Sequence, residues 1–119
     1  SKLCLSCHDG VTAIDAFGGN PGTVNMATFN SSANIGLSLH DDHPISILYD
    51  YGITTAGNTH GLKDPTQFYP GNYNNVPWLY SNKVECASCH DVHRRNAAVP
   101  DLLRVNKLNS ELCLKCHNK

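Results

Sequence analysis

The chain has almost no net charge, a single methionine and no long apolar run. A formal charge of −1 over 119 residues gives nothing that would draw in nucleic acid or an anionic membrane surface. No stretch approaches the length of a membrane-spanning helix, and no charged-then-apolar signal segment opens the sequence. It therefore reads as a mature, soluble product whose leader, if it was exported, has been removed. A sustained helical stripe is missing too, and alternation is confined to short pieces such as residues 45 to 51. Residues 18 to 36 and 52 to 82 are rich in Gly, Asn, Pro, Ser and Thr, which favour turns over helices and ladders. A single domain over residues 1–119 built this way buries too little of its own apolar surface to be comfortably stable. Something else must supply a core.

What is present is cysteine, in one arrangement only. All 6 cysteines fall in three identical frames: Cys4-Leu5-Ser6-Cys7-His8, Cys86-Ala87-Ser88-Cys89-His90 and Cys113-Leu114-Lys115-Cys116-His117. C-x-x-C-H is the attachment signature of c-type haem. On a helical turn, cysteines three apart present their sulfurs to one side, where they can bond to the two vinyl groups of the macrocycle. The next residue brings its imidazole under the iron as proximal ligand. Structural zinc sites usually close on two C-x-x-C pairs and do not need a histidine after each. One-turn disulfides constrain little and leave the histidines unexplained. With 7 histidines in the chain, all three frames would end in His by chance only about once in five thousand. The reading is three haem c, held by Cys4, Cys7, Cys86, Cys89, Cys113 and Cys116, with proximal ligands His8, His90 and His117.

Three six-coordinate irons need three distal ligands. Met26 can serve one at most, and Met/His ligation would raise that potential. The other candidates are His40, His43, His60 and His93, so bis-histidine ligation is the economical reading. His90 and His93 are expected one turn apart on the same face of a short helix, so they cannot straddle one porphyrin. As a ligand, His93 must serve a second haem packed against the first; otherwise it is a surface residue beside Arg94 and Arg95. His40 and His43 are also three apart, so any one iron takes only one of them. Pro44 keeps His43 extended. The order of preference is His43, His93, His60 and then His40, with His60 resting on counting alone.

With these residues in view, the sequence resembles the multihaem c-type cytochromes with doubled C-x-x-C-H motifs. The resemblance is carried by "ECASCHDVH", the Leu102-Leu103 pair and "LCLKCH" in the last third, with "LCLSCHDG" and "DDHPIS" earlier. It implies distal roles for His43, before proline, and for His93, after the second motif. It also implies a small, loop-rich fold with little regular secondary structure, a few short helices at the motifs and a core formed by the haems. Similar proteins transfer electrons in respiration, some as extracellular filaments in which a distal histidine crosses the subunit contact. In this chain the motifs lie close to both ends, so outer haems are expected near the surface, ready for a neighbouring copy.

The expected function is electron transfer through three closely packed haems, in an exported protein at the cell surface or outside the cell, alternatively in the periplasm. Its partners would be redox proteins, an extracellular acceptor or further copies of the chain. The monomeric form would be a shuttle. A small multihaem oxidoreductase is the enzymatic alternative, and it needs an iron with an open position. Asp9 and Asp91 either orient an imidazole or, as favoured here, turn the chain. Phe68, Tyr69, Tyr73, Trp78 and Tyr80 either cover haem edges or form a satellite cluster. Asn30-Ser31-Ser32 fits the glycosylation pattern but is easily met by chance. The purified protein is expected to be red, with wholly low-spin c-type spectra. High-spin iron, or cyanide binding without ligand displacement, would instead support the enzyme.

Overall fold

The structure, a computed structural model, describes residues 1–50, 61–68, 77–93 and 99–118. Regular structure is sparse, as the sequence leads one to expect. The helices are α1 (Lys2–His8), α2 (Met26–Phe29), α3 (Cys86–Cys89) and α4 (Cys113–Cys116), and two short strands, β1 (Ile47–Leu48) and β2 (Lys83–Val84), pair antiparallel. Three of the four α-helices among the described residues coincide with C-x-x-C frames. No helix among the described residues is long and apolar enough to cross a membrane. The chain divides into two compact units, Ser1–Ile45 and Ser46–Lys119.

The first unit is held by side chains that cap loops. Asn25 caps α2 by accepting the Thr28 amide at 3.1 Å. Asp15 ties the Gly-rich loop shut, accepting the amides of Thr23 and Val24 at 3.0 Å each. Ala13 bridges to Asn25 beside it. Gly22, at φ +70°, closes this loop, and a Cβ there would meet Ala16 N at 2.8 Å. Large apolar side chains stay on the surface, among them Leu3, Phe17, Phe29 and Leu37. Asn30, Ser31 and Ser32 lie at an exposed 3-10 turn.

In the second unit, Ile47 faces Val84 and Leu48 faces Lys83 in the two-residue ladder. Ser81 and Asn82, both at positive φ, form the two-residue turn that brings Tyr80 and Lys83 together, as the twist of a tight hairpin requires. Of the alternating stretch at residues 45–51, only Ile47 and Leu48 are strand among the described residues, and Tyr51 lies outside them. Tyr49, Trp78, Val84 and Val105 make the core, with Leu62, Leu79, Leu112 and Cys116 packed against it. Trp78 therefore takes the core role among the aromatic residues of its segment, and Tyr69 and Tyr73 lie outside the described residues. A cluster this small makes each member count.

Replacing Trp78, 5% exposed, by alanine should cost about 3–5 kcal/mol in denaturant unfolding. The same change at exposed Leu108 should stay within about 0.5 kcal/mol. The bonds from the Val24 and Thr23 amides hold the Asp15 carboxyl below its usual range. A depressed folded value means the stabilisation is present above the unfolded value, about 3.9, and is lost as pH falls through the folded one. The protection of the Thr23 and Val24 amides from hydrogen exchange, taken relative to the unstructured rate at each pH, should thus fall only in acid below about pH 4.

Candidate functional site

Each C-x-x-C-H frame is a short helical turn with a second stretch of chain laid across it. In α1 the spacing sets Cys4 and Cys7 one turn apart, and both the Cys4 and Leu5 amides donate to Ser1 O at 3.0 Å. His8 ends the helix. Its Nδ1 donates to Ala33 O at 2.6 Å, while Ile35 N donates to His8 O at 2.9 Å. Asp9 then turns the chain: its carboxylate accepts the Val11 and Thr12 amides at 2.9 and 3.0 Å and the Thr12 hydroxyl at 3.1 Å. These bonds, the Thr12 amide foremost, hold its carboxyl below the usual range. Gly10, at φ +75°, follows immediately, and a Cβ there would collide with the Asn34 amide oxygen.

The second frame is clasped by residues 101–104. The buried Ser88 hydroxyl accepts the Glu85 amide at 2.9 Å and so fixes the start of α3. His90 leaves the helix in extended conformation, φ −106° and ψ 141°, with Nδ1 donating to Asp101 O at 2.9 Å. Asp91 N donates to Leu102 O and Arg104 N donates to Cys89 O, each at 2.8 Å. Asp101 and Leu102 both stand at positive φ, 60° and 55°. A left-handed conformation costs a residue such as leucine about 1–2 kcal/mol. The strain sits where it aims two carbonyls at the frame.

The third frame is clasped by residues 61–63. Lys63 N donates to Cys116 O at 2.8 Å, Asn118 N donates to Gly61 O at 2.5 Å, and Leu62 bridges to His117. The Tyr49 hydroxyl lies 2.9 Å from the carbonyls of both Lys63 and Cys116. Lys63 Nζ donates to Leu114 O at 2.6 Å. His117 is extended like His90, at φ −97° and ψ 138°.

No disulfide joins any of the six cysteines. Burial pushes the Cys89 thiol up, opposed by the positive charge of Arg104 and reinforced by Cys113 and Cys86. Burial, with a contribution from Cys89, pushes Cys116 up to about 11. The two frames of this unit are thus close enough to feel each other's charge. Yet no group of three or more His, Cys, Asp or Glu side chains among the described residues is arranged to hold a metal ion. The four cysteines do not converge as a structural zinc site requires.

The remaining histidines differ in how their rings are held. Exposed His43 directs Nδ1 at Pro44 O, 3.0 Å away. A carbonyl can only accept, so in His8, His90 and His43 the Nδ1 nitrogen carries a hydrogen, which leaves Nε2 as the nitrogen available to ligate iron. His40 instead places Nδ1 2.9 Å from the Ser38 hydroxyl and 3.4 Å from Asp41. His93 is exposed in a turn after Asp91, whose carboxylate accepts its amide at 3.1 Å. The expected common helix face for His90 and His93 is corrected here, because α3 ends at Cys89 and His90 is extended. His93 follows in a turn held by the Asp91 carboxylate rather than on a helix. Met26, half-buried, opens α2, and His60 lies outside the described residues.

Residues 80–119 match the family model described as Doubled CXXCH motif. That match points to a multihaem c-type cytochrome and indicates covalently bound haem c. It spans the second and third frames, while the frame at Cys4 lies outside it. Comparison with curated proteins finds none that matches. The residues fit the group: reduced thiols one turn apart, a histidine next in sequence, and in two frames an Nδ1 anchored on a carbonyl. Sequence reasoning missed the clasps themselves, namely Tyr49, Lys63 and Arg104. Arg104 follows the Leu102-Leu103 pair directly, and that adjacency was the available signal.

His43→Ala should convert one haem to a high-spin form, whereas His40→Ala should leave the visible and electron paramagnetic resonance spectra unchanged. His93→Ala should remove a ligand from a haem other than the one attached at Cys86 and Cys89. Loss of low-spin character at that haem itself would contradict the assignment of His93 to a second haem.

Proposed function

We propose that the chain carries electrons through three haem c groups, each attached at one frame and ligated by two histidines. The observation that carries this reading is the repeated pairing of two cysteines outside any disulfide with an imidazole whose Nδ1 is fixed on a backbone carbonyl. Haem c, once attached, supplies a one-electron Fe(III)/Fe(II) couple. Cys4, Cys7, Cys86, Cys89, Cys113 and Cys116 hold the macrocycles, and forming each thioether adds S–H across a vinyl double bond without an oxidant. His8, His90 and His117 take the proximal places. His43, His93 and His60 take the distal ones, with His40 the alternative for the last. The crossing segments fix the backbone at each frame and limit how far it shifts when iron changes charge.

The same reading extends to place and assembly. Attachment of haem c belongs to exported proteins, and the location proposed is the cell surface or outside the cell, with the periplasm as the alternative. Cys4 and Cys113 are exposed, so their frames have faces open to a redox partner or to another copy of the chain. The assembled form we propose is a homopolymeric filament, with a monomeric shuttle as the second form. Distal histidines in excess of irons speak against an open catalytic position.

A pyridine haemochrome assay on the purified native protein should return three haem c per chain, with low-spin resonance throughout. Two haems per chain, or one high-spin signal, would redirect the assignment of the first frame or of the distal ligands. Negative-stain electron microscopy separates the forms, since regular thin filaments indicate the polymer and dispersed particles the shuttle.

A further inference from the structure

The triplet Asn30-Ser31-Ser32 is the one Asn-x-Ser/Thr in the sequence, and the haem reading makes no use of it. Neither residue 31 nor residue 33 is a proline, so nothing in the triplet bars it as an acceptor for an N-linked sugar. A three-residue pattern arises often by chance, and accessibility separates a usable acceptor from a buried one. Asn30 ends α2 and opens the 3-10 turn Ser31–Ala33, in extended conformation at φ −152° and ψ 92°. Its amide donates to Met26 O at 2.9 Å and its carbonyl accepts the Ala33 amide at 3.0 Å, so the main chain is tied on both sides. An asparagine in this place usually turns its side chain onto the helix that follows, as Asn25 does for the Thr28 amide. Asn30 makes no such cap. Asn30, Ser31 and Ser32 are all exposed, and Phe29 beside them is 69% exposed.

We propose that Asn30 is a glycosylation site, carrying an N-linked oligosaccharide added on export. From the function proposed above it takes only that the chain is exported. The donor is a lipid-linked oligosaccharide diphosphate, presented by a transferase beyond the cytoplasmic membrane. The Asn30 amide nitrogen bonds to the anomeric carbon of the first sugar, the bond from that carbon to the lipid diphosphate breaks, and the nitrogen gives up one proton. No oxidant or reductant takes part. Ser32 supplies the hydroxyl that the transferase reads two residues on. A sugar ring has one face of C–H bonds, and laid over Phe29 it takes apolar surface out of water. An exposed phenylalanine next to the acceptor thereby gains a cover.

The test is intact-mass spectrometry of the protein purified from the organism that makes it, followed by peptide mapping. The mass should exceed that of the polypeptide and its haems by discrete sugar increments, and mapping should place them on Asn30. Asn30→Gln and Ser32→Ala, made in the same organism, should each lose the whole increment, whereas Ser32→Thr should keep it. All three should leave the haem spectrum unchanged, since none removes a main-chain bond of the turn. A mass equal to polypeptide plus haems would overturn the inference. So would sugar on Ser31 or Ser32 in place of Asn30, or an increment that survives Ser32→Ala. Absence of c-type bands would overturn the haem reading alone, because the sugar is weighed whether or not haem is bound.

Discussion

A hydrogen bond from a histidine Nδ1 to a backbone carbonyl is the constraint around which two of the three frames are organised. It fixes which nitrogen bears the proton, and so which nitrogen can bind a metal. It also fixes ring orientation, because the carbonyl belongs to a segment pinned to the same frame by main-chain bonds. Ala33 serves His8 in this way and Asp101 serves His90. The surrounding loops are arranged to deliver those carbonyls. Asp9 and Gly10 turn the chain away from α1, and the left-handed pair Asp101 and Leu102 bends it back onto α3.

This arrangement explains how a loop-rich chain can present chemistry with little regular structure. A long helix or wide sheet positions side chains by repetition. Here each frame is positioned by a few bonds to one crossing segment, and the intervening chain is free to be Gly- and Asn-rich. The protein core is correspondingly slight, centred on Tyr49, Trp78, Val84 and Val105, while Leu3, Phe17, Phe29 and Leu37 remain outside. Flat apolar macrocycles at the frames would give such side chains something to cover.

The attachment residues were legible in the sequence because covalent chemistry demands a fixed spacing, and a fixed spacing is what a linear string records. The turn roles of Asp9 and Asp91 were legible for a similar reason, since an aspartate caps amides two or three residues ahead of it. The crossing segments were not legible. Nothing local in residues 61–63 says that they will lie on Cys116, because that contact is made across more than fifty residues. Arg104 looked like any surface arginine after a leucine pair, and only the fold shows it turned inward onto Trp78. The shared helix face assigned to His90 and His93 failed for the converse reason. Spacing three apart implies a face only where the helix continues, and α3 stops one residue short of His90.

The clasps also differ in how much chain each must gather. His90 meets its carbonyl 11 residues on, His8 meets its own after 25, and Tyr49 reaches Cys116 across 67. Closing a flexible loop costs entropy with the logarithm of its length, so the longest of these contacts costs about 1.5 kcal/mol more to close than the shortest. On this cost alone the frame at Cys86 closes the more easily, from material close at hand, while the frame at Cys113 draws on a distant part of the chain.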